Sequence, residues 1–447
     1  MKVMKFGGSS VGGVEQIRNT CEIIKKRANP GDIIIESAIG TDPKLGRNEK
    51  VTDMLINLCK IEPIEEKKII FDNISSRHYE IIEGLALEKG IISREMTELE
   101  GYSQSNLKYS ALALDTLQSF GERMSVKIVA AQLKKMGINA NSIEAYNVGL
   151  FTDSNYGKAV PLPEAYGKIK EALEKVVGIL VITGFIGANM EGNITTLGRG
   201  GSDYSAAIFA AALDAECLEL WTDVNGIKSA NPKIVPNAKT IRNMSFNEAK
   251  ELSFYGAKLH PKTIWPAMRK SIPVHIMNTF DPDGEFTIIT NKSERNDSIV
   301  KGITCDRKNY MININSPNMI EQSGFLARVF DAFEMNATSV DMVSTSEASI
   351  SLTIKDVKML RAIIADIEDL DASMSVKVED GKAIICIVGD GMKHVPGVSG
   401  KICSTLGKEG INIEAISQGA SEINITLIVK DEDAENAVRT IHKEFFE

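Results

Sequence analysis

The first 290 residues or so alternate short apolar runs with stretches of helical periodicity. Ile33-Ile34-Ile35, Ile179-Leu180-Val181-Ile182 and Val274-His275-Ile276-Met277 are predicted to be short buried strands. Between the first two, Ile17, Cys21, Ile24 and Ala28 recur at helical spacing. Strands alternating with helices predict an α/β sandwich built on a largely parallel sheet. From about Glu62 to Leu133 the pattern is helical with no convincing strand, which predicts a helical subdomain or lid. The segment Asn291-Lys292-Ser293-Glu294-Arg295-Asn296-Asp297-Ser298 contains no apolar residue and marks a domain boundary.

Beyond that boundary the chain repeats itself. Gly324-Phe325 matches Gly397-Val398, Val329 matches Ile402, Asp341 matches Glu414, and Ile350-Ser351-Leu352-Thr353 matches Ile423-Asn424-Ile425-Thr426, all at a constant offset of 73. Each copy has the pattern glycine, amphipathic helix, strand, turn, strand, helix. With a strand before each copy, this predicts two ferredoxin-like βαββαβ units of about 70 residues. Two such copies in one chain pair side by side with their glycine turns facing small-molecule pockets; simple packing domains are the alternative.

The 447 residues suffice for about three domains. A net charge of -9 argues against nucleic acid as a partner, and any anionic substrate must be met by local positive charge. No apolar run approaches the ~20 residues of a membrane span, and no signal-peptide core follows Met1, so no membrane partner and a cytoplasmic location are expected. Cys21, Cys59, Cys217, Cys305, Cys386 and Cys403 are scattered with no C-x-x-C pair, as expected of reduced thiols.

The chemistry lies in glycine-rich turns. Neither the P-loop nor the dinucleotide fingerprint occurs. Lys5-Phe6-Gly7-Gly8-Ser9-Ser10-Val11-Gly12-Gly13 instead ends a strand and precedes a helix starting near Val14. Such a turn either is purely structural or offers backbone N–H groups and a helix N-terminus to an anion, with the Lys5 ammonium beside it. In Thr196-Leu197-Gly198-Arg199-Gly200-Gly201-Ser202-Asp203-Tyr204-Ser205, Ser202-Asp203 fall where a helix N-cap belongs. The functional reading makes Arg199 a carboxylate fork and Asp203 an organiser of lysines or metal. Trp221-Thr222-Asp223-Val224-Asn225-Gly226-Ile227 is a third turn, followed by the cations Lys233 and Lys258. Glu122, taken alone, reads as a solvated or salt-bridged carboxylate on a helix surface. Anion-friendly loops and lysines without a Cys–His or Ser–His pairing point to phosphoryl transfer, which needs positioning and charge neutralisation more than covalent chemistry.

Taken together, KFGGSSV (5–11), SFGER (119–123), TGFIG (183–187), TLGRGGSDYSA (196–206), WTDVNGI (221–227) and GAKLHP (256–261) resemble aspartate kinases of the amino-acid kinase family, in order and approximate spacing. The repeated tail is similar to the tandem ACT domains of those enzymes, so the resemblance covers essentially the whole chain. It implies an amino-acid kinase αβα sandwich over 1–292, with ACT domains at 299–375 and 376–447 and scope for strand exchange between them. The implied activity is phosphoryl transfer from ATP to L-aspartate, the first step of lysine, threonine and methionine biosynthesis. Mg-ATP is the implied cofactor, with magnesium held by nucleotide and water rather than by protein ligands.

Residue by residue, the resemblance implies catalytic roles for Lys5, Asp203 and Lys258. Ser37, Thr52, Glu122, Arg199, Gly201 and Ser202 would bind aspartate, Glu122 through its ammonium and Arg199 through its α-carboxylate. Gly7, Gly8, Ser9, Thr222, Asp223, Ile227, Lys228 and Lys233 would hold the nucleotide. Met319, Gly324, Phe325, Leu326, Val340, Asp341, Ser346 and Glu347 match the effector pocket of lysine-inhibited members. Only the first repeat follows its turn with a second carboxylate, Glu347, a charge pattern that fits lysine better than threonine. A homodimer, or a dimer of dimers, through the ACT domains is implied. Kinases of glutamate, acetylglutamate or carbamate leave SFGER and the tail unexplained. A non-catalytic amino-acid sensor would have no need of Lys5, Asp203 and Lys258, and a fused dehydrogenase is not expected at this length.

Overall fold

The computed structural model describes residues 1–105, 108–254, 261–292, 299–319, 322–371 and 373–447. The predicted boundary segment falls largely on 293–298, outside the described residues, as does Lys258. Two compact units emerge. One comprises Met1–Ile227, Arg242–Phe246 and Leu259–Lys292, the other Lys228–Ile241, Asn247–Lys258 and Ser293–Glu447.

The first unit contains β1 (Val3–Phe6), β2 (Ile33–Glu36), β3 (Ala140–Ile143), β4 (Ile179–Thr183), a hairpin of β5 (Ile186–Ala188) and β6 (Ile194–Thr196), β7 (Leu218–Thr222), β8 (Asn243–Ser245), β9 (Val274–Asn278) and β10 (Thr287–Thr290). Eight of them form one sheet in the order β3-β4-β2-β1-β7-β9-β10-β8. Every neighbouring pair is parallel except β9 with β10. The three strands predicted from isoleucine- and valine-rich runs are β2, β4 and β9. Helix α1 (Val14–Arg27) matches the helical spacing of Ile17, Cys21 and Ile24, α2 (Val51–Lys60) comes before the predicted helical stretch, and α3 (Ile64–Gly84), α4 (Ser93–Ser103) and α5 (Ala111–Lys135) occupy it. Next come α6 (Pro163–Leu173), α7 (Gly201–Ala212), α8 (Phe246–Phe254), whose residues after Phe246 belong to the second unit, and α9 (Pro261–Arg269).

Strand alternation sorts the side chains of the central strands onto two faces. Met4, Phe6 and Ile34 join Ile17, Cys21 and Ile24 of α1 and Leu117, Phe120 and Met124 of α5 in one core. Phe6 stacks on Trp221, ring centroids 5.6 Å apart, and both are fully buried. Lys5 points to the opposite face, where α7 packs on β1, β2 and β7. An αβα sandwich results, and the C-terminal ends of β1, β2, β4 and β7 open onto shared loops.

The second unit holds β11 (Gly302–Asn315), α10 (Phe325–Met335), β12 (Val343–Thr345), β13 (Ser349–Ile354), α11 (Leu360–Glu368), β14 (Ser375–Val388), α12 (Val398–Lys408), β15 (Ala415–Ser417), β16 (Asn424–Lys430) and α13 (Ala434–Phe446). Its six-stranded antiparallel sheet has the order β12-β13-β11-β14-β16-β15. The long central strands belong to both repeats. The first half of β11 pairs with the last half of β14, Gly302 opposite Val388, and Asn315 at its other end faces Ser375. Accordingly Ile303 packs with Val398, Ile402 and Ile441 of the second repeat, while Val376 and Val378 pack on the first repeat's core of Ile312, Phe325 and Val329. Each repeat thus closes its βαββαβ sheet with half a strand borrowed from the other.

The constant offset of 73 holds for the long strands and for α10 against α12 but fails at the last matched block. Ile314 faces Ile350 whereas Ile387 faces Ile425, so β13 and β16 correspond at an offset of 75. The hairpin between β15 and β16 is longer than that between β12 and β13 and absorbs the difference. Asp341 and Glu414 nevertheless remain equivalent. Asp341 N donates to Thr353 O at 2.9 Å, and Glu414 N to Ile428 O at 2.8 Å. Lys228–Ile241 also contributes to this unit, with Ala230 and Val235 in the second repeat's core and Ser229 hydrogen-bonded to His442 at 2.9 Å. No helix among the described residues is long and apolar enough to cross a membrane.

Candidate active site

The site begins where β1 ends. Gly7 N donates to Trp221 O at 3.2 Å, a single 3-10 turn spans Gly8–Val11, and α1 then starts at Val14. Gly40 N bonds Gly8 O at 3.0 Å, and a Cβ on Gly40 would sit 2.2 Å from that oxygen, so the loops after β1 and β2 touch backbone to backbone. Arg77, buried on α3, fastens both loops by donating to Gly40 O, to Gly12 O at 3.4 Å and to Glu49 O at 2.6 Å.

Lys5 meets Asp203 across this opening, Nζ to Oδ1 2.5 Å, with side chains 10% and 22% exposed. The expected N-cap role of Ser202-Asp203 is corrected here. Gly200, at φ +70°, is the N-cap of α7 and no side chain caps that helix. Ser202 and Asp203 instead lie in its first turn, so Asp203 reaches the lysine and Ser202 Oγ accepts from Ser37 Oγ at 2.8 Å. Gly184 N donates to Glu36 O at 2.8 Å, and Phe185 N to Ser205 Oγ at 2.8 Å, fixing TGFIG against the start of α7.

Glu122 is buried, not a solvated or salt-bridged surface group. Its Oε1 accepts from Ala38 N at 3.1 Å and its Oε2 has no hydrogen-bond partner. Gly121 makes this approach possible, because a Cβ there would lie 2.7 Å from Ala38 Cβ. Burial pushes the Glu122 carboxyl up to about 8, against the pull of the Ala38 and Glu122 backbone N–H groups. A buried carboxyl with one oxygen unsatisfied and no cation beside it is suited to receive an ammonium.

The remaining expected residues are less tightly drawn in. Arg199 is exposed between Gly198 and Gly200, both at positive φ, with no hydrogen bond or ion pair among the described residues. Thr52 lies half-buried in the first turn of α2, whose Val51 N donates to Ile39 O at 3.1 Å. Thr222 ends β7 and donates to Asp223 Oδ1 at 3.0 Å, while Ile227 N donates to Thr287 Oγ1 at 2.8 Å. Lys228 and Lys233 fall in the second unit, where Lys228 bonds Thr240 Oγ1 at 2.6 Å and Lys233 is exposed.

Besides Arg77, two polar residues of this region escaped the sequence reading. Glu36 is fully buried in β2, neither oxygen has a hydrogen-bond partner, and burial raises its pKa well above the carboxylate range while Lys5 pulls it down. Its signal was a charged residue closing an otherwise all-isoleucine strand. Asp115 accepts from Gly157 N at 2.9 Å, Thr196 N at 2.7 Å and Thr196 Oγ1 at 2.8 Å, and so holds the strand that leads into TLGRGGSD. It lies two turns before Glu122 on the same face of α5, a spacing that could have exposed it.

For a metal, Asp203 offers one carboxylate beside Lys5, a donor set too small for a dedicated cage but compatible with a divalent cation that brings its own phosphate and water ligands. Elsewhere, donor atoms of Cys217, Glu219 and His275 lie within 4.8 Å of one another. The Glu219 oxygens already accept from Lys2 Nζ and Trp221 Nε1, each at 3.0 Å.

In the second unit, Met319 lies in a short 3-10 turn, and Gly324 at φ +77° starts α10 with Phe325 buried and Leu326 exposed. Val340 and Asp341 are half-buried ahead of β12, and Ser346 and Glu347 are exposed in the hairpin. These residues fall in the first repeat, as the sequence placed them.

Residues 1–278 match the model of the amino acid kinase family, and residues 312–365 and 385–445 match that of the ACT domain. Aspartokinase 2 of the Arabidopsis thaliana chloroplast is 34% identical over all of this chain and 84% of its own length. The crystal structure of E. coli aspartokinase III with aspartate and ADP, in its R state, superposes with a TM-score of 0.81 at 32% identity, covering 100% of both chains. The same enzyme with lysine and aspartate, in its T state, gives a TM-score of 0.78 at 31% identity with the same coverage.

Proposed function

This chain belongs to the aspartokinases of the amino acid kinase family, and from that premise we propose how its residues transfer the γ-phosphoryl group of ATP to the side-chain carboxylate of L-aspartate. The nucleophile is the substrate's own carboxylate, ionised at neutral pH with a pKa near ~3.9, so no general base is required. One of its oxygens bonds the γ-phosphorus as the bond to the β–γ bridging oxygen breaks. That electron pair leaves with ADP, and 4-phospho-L-aspartate is the other product.

The difficulty is an anion attacking a polyanion. Lys5 and the N–H groups of Gly7, Gly8 and Ser9 neutralise charge on the phosphates, and Asp203 holds Lys5 in place. Glu122 takes the aspartate ammonium and Arg199 forks onto its α-carboxylate, with Ser37, Thr52, Gly201 and Ser202 lining the same opening. Thr222, Asp223 and Ile227 flank the nucleotide. We assign no step to Lys228, Lys233 or Lys258. Asp203 would be the carboxylate available to help hold a magnesium ion, which would supply charge neutralisation on the phosphates.

The observation that carries this reading is Glu122, a buried carboxyl with no cation beside it among the described residues. Its test is the opposite end of the amino acid. Arg199→Ala should raise the KM for aspartate by about 10- to 100-fold, the loss of a charge-assisted fork of about 1.5–3 kcal/mol, with little effect on the KM for ATP. Unchanged aspartate saturation in that variant would refute the assignment.

The regulatory reading concerns the second unit. Kinase residues 1–292 precede ACT domains at 299–375 and 376–447 that exchange halves of their long strands, and lysine acts as feedback inhibitor at the first. Asp341 and Glu347 meet its two ammonium groups, with Met319, Gly324, Phe325, Leu326, Val340 and Ser346 around them. The lysine complex of E. coli aspartokinase III supports this reading; the extra carboxylate expected of the first repeat does not, because the offset of 75 after the hairpins gives Glu347 a counterpart in Glu422. β12 and β15 end the six-stranded sheet, and we assign a dimer or dimer of dimers through these domains. A cytoplasmic location accords with six free thiols.

A further inference from the structure

We propose that Asp115 is the positioning residue for Arg199, holding the loop that presents this arginine to the α-carboxylate of aspartate. The inference rests on the reading of Arg199 as the carboxylate fork, and it accounts for what keeps that side chain in place before substrate arrives.

Arg199 is exposed, makes no hydrogen bond or ion pair among the described residues, and stands between two glycines at positive φ. Its place is therefore set by the backbone on either side. A bidentate contact tolerates little displacement, because two N–H groups must stay in line with two carboxylate oxygens. On the α7 side the loop closes on itself. Gly201 N donates to Gly198 O at 2.9 Å and Tyr204 N to Gly200 O at 3.0 Å. On the β6 side Leu197 N donates to Phe185 O at 2.9 Å, and Thr196 is bound to Asp115 twice, through its N–H at 2.7 Å and its hydroxyl at 2.8 Å.

Asp115 also backs the loop from outside. Its Oδ2 accepts from Gly157 N at 2.9 Å, and a Cβ on Gly198 would lie 2.9 Å from Gly157 O, so Gly198 rests on the turn that Asp115 holds. Ala159 N then donates to Thr196 O at 2.9 Å and ties that turn to the strand. One fully buried carboxylate thus joins the strand that enters the arginine loop to the turn beneath it. Asp115 sits on α5, two turns before Glu122. A single helix therefore carries both the carboxyl that takes the ammonium and the anchor of the loop that takes the α-carboxylate. None of these bonds involves the phosphate loop after β1, and α7 is held separately by its packing on β1, β2 and β7. Loss of the anchor should be felt by aspartate and not by ATP.

Steady-state kinetics of the full-length chain test this. Asp115→Ala should raise the KM for aspartate by about tenfold and the KM for ATP by less than about twofold. Asp115→Asn should recover most of the loss, since its amide oxygen can accept from both N–H groups while its NH2 donates to the Thr196 hydroxyl. The decisive comparison is a double-mutant cycle. Adding Asp115→Ala to Arg199→Ala should change the aspartate KM by less than about twofold, whereas a role independent of Arg199 would multiply the two effects. Full multiplication, equal rises in both KM values, or an unchanged aspartate KM in a folded Asp115→Ala overturns the proposal, as does an Asp115→Asn enzyme as impaired as the alanine variant. If Asp115→Ala does not fold, Thr196→Val decides. It keeps the shape and the N–H bond, removes only the hydroxyl donor, and should raise the aspartate KM by about threefold alone but not beside Arg199→Ala. No shift in Thr196→Val then overturns the proposal. Normal aspartate saturation in Arg199→Ala would remove the reading of Arg199 and this proposal together; a raised KM there with multiplying effects removes this proposal alone.

Discussion

Lys5→Ala should lower kcat by about 10²–10³-fold, the usual loss when one preorganised electrostatic partner of a transition state is removed. The fold should survive. Lys5 lies at the mouth of the sheet, its hydrophobic neighbours Met4 and Phe6 point to the other face, and no core cluster includes it. Asp203 would lose its cation, but with its side chain 22% exposed it can turn to solvent. The defect should therefore appear in turnover, with aspartate saturation nearly unaltered and a cooperative melt retained. Combining Lys5→Ala with Asp203→Ala should cost little more than the worse single change, because the two act as a unit. A Lys5→Ala enzyme with nearly full activity, or one that is merely unfolded, would refute the role.

The second large effect is a pH dependence of aspartate binding. With no ligand bound, burial holds the Glu122 carboxyl at about 8, so at neutral pH it is mostly protonated. An arriving ammonium favours the carboxylate and expels that proton. Aspartate binding at pH 7 should then release close to one proton, measurable as a calorimetric heat that varies with the ionisation enthalpy of the buffer. As pH falls below about 8, apparent affinity should weaken toward about tenfold per pH unit. The sign follows from a raised folded-state pKa. In the free protein the same group also lowers stability as pH rises from the unfolded value of 4.5 to about 8. Glu122→Gln keeps an acceptor for Ala38 N but cannot ionise, so it should raise the KM for aspartate and abolish both the proton release and the pH slope. Proton release that persists in Glu122→Gln would assign it to another group.

Periodicity along the chain was enough to place the parallel sheet, because β2, β4 and β9 are apolar runs buried on both faces. The helical stretch after Glu62 was legible for the same reason. The repeat was legible from its glycines and helices, but not the longer second hairpin, since an insertion in a polar turn leaves no periodic trace. The segment Lys228–Ile241 carries no compositional mark of its attachment to the second unit, which depends on long-range packing of Ala230 and Val235. At the candidate site, the glycine-rich turns singled out Lys5 and Asp203, while Ser37 came only from the family resemblance. Glu122 alone looked like a surface carboxylate, because helical periodicity cannot register burial by a close contact through Gly121. Asp115 and Arg77 were missed for a related reason. Their work is to bond distant backbone, and that pairing is written in tertiary structure rather than in spacing.

The measurement that bears most directly on the account is ADP formation by the purified chain with Mg-ATP and candidate acceptors, with hydroxylamine present to trap an acyl phosphate. The account predicts ADP release that depends on L-aspartate, matched by aspartyl hydroxamate, and far weaker turnover with glutamate, acetylglutamate or carbamate. Aspartate that binds without ATP turnover, or a preference for another acceptor, would contradict it.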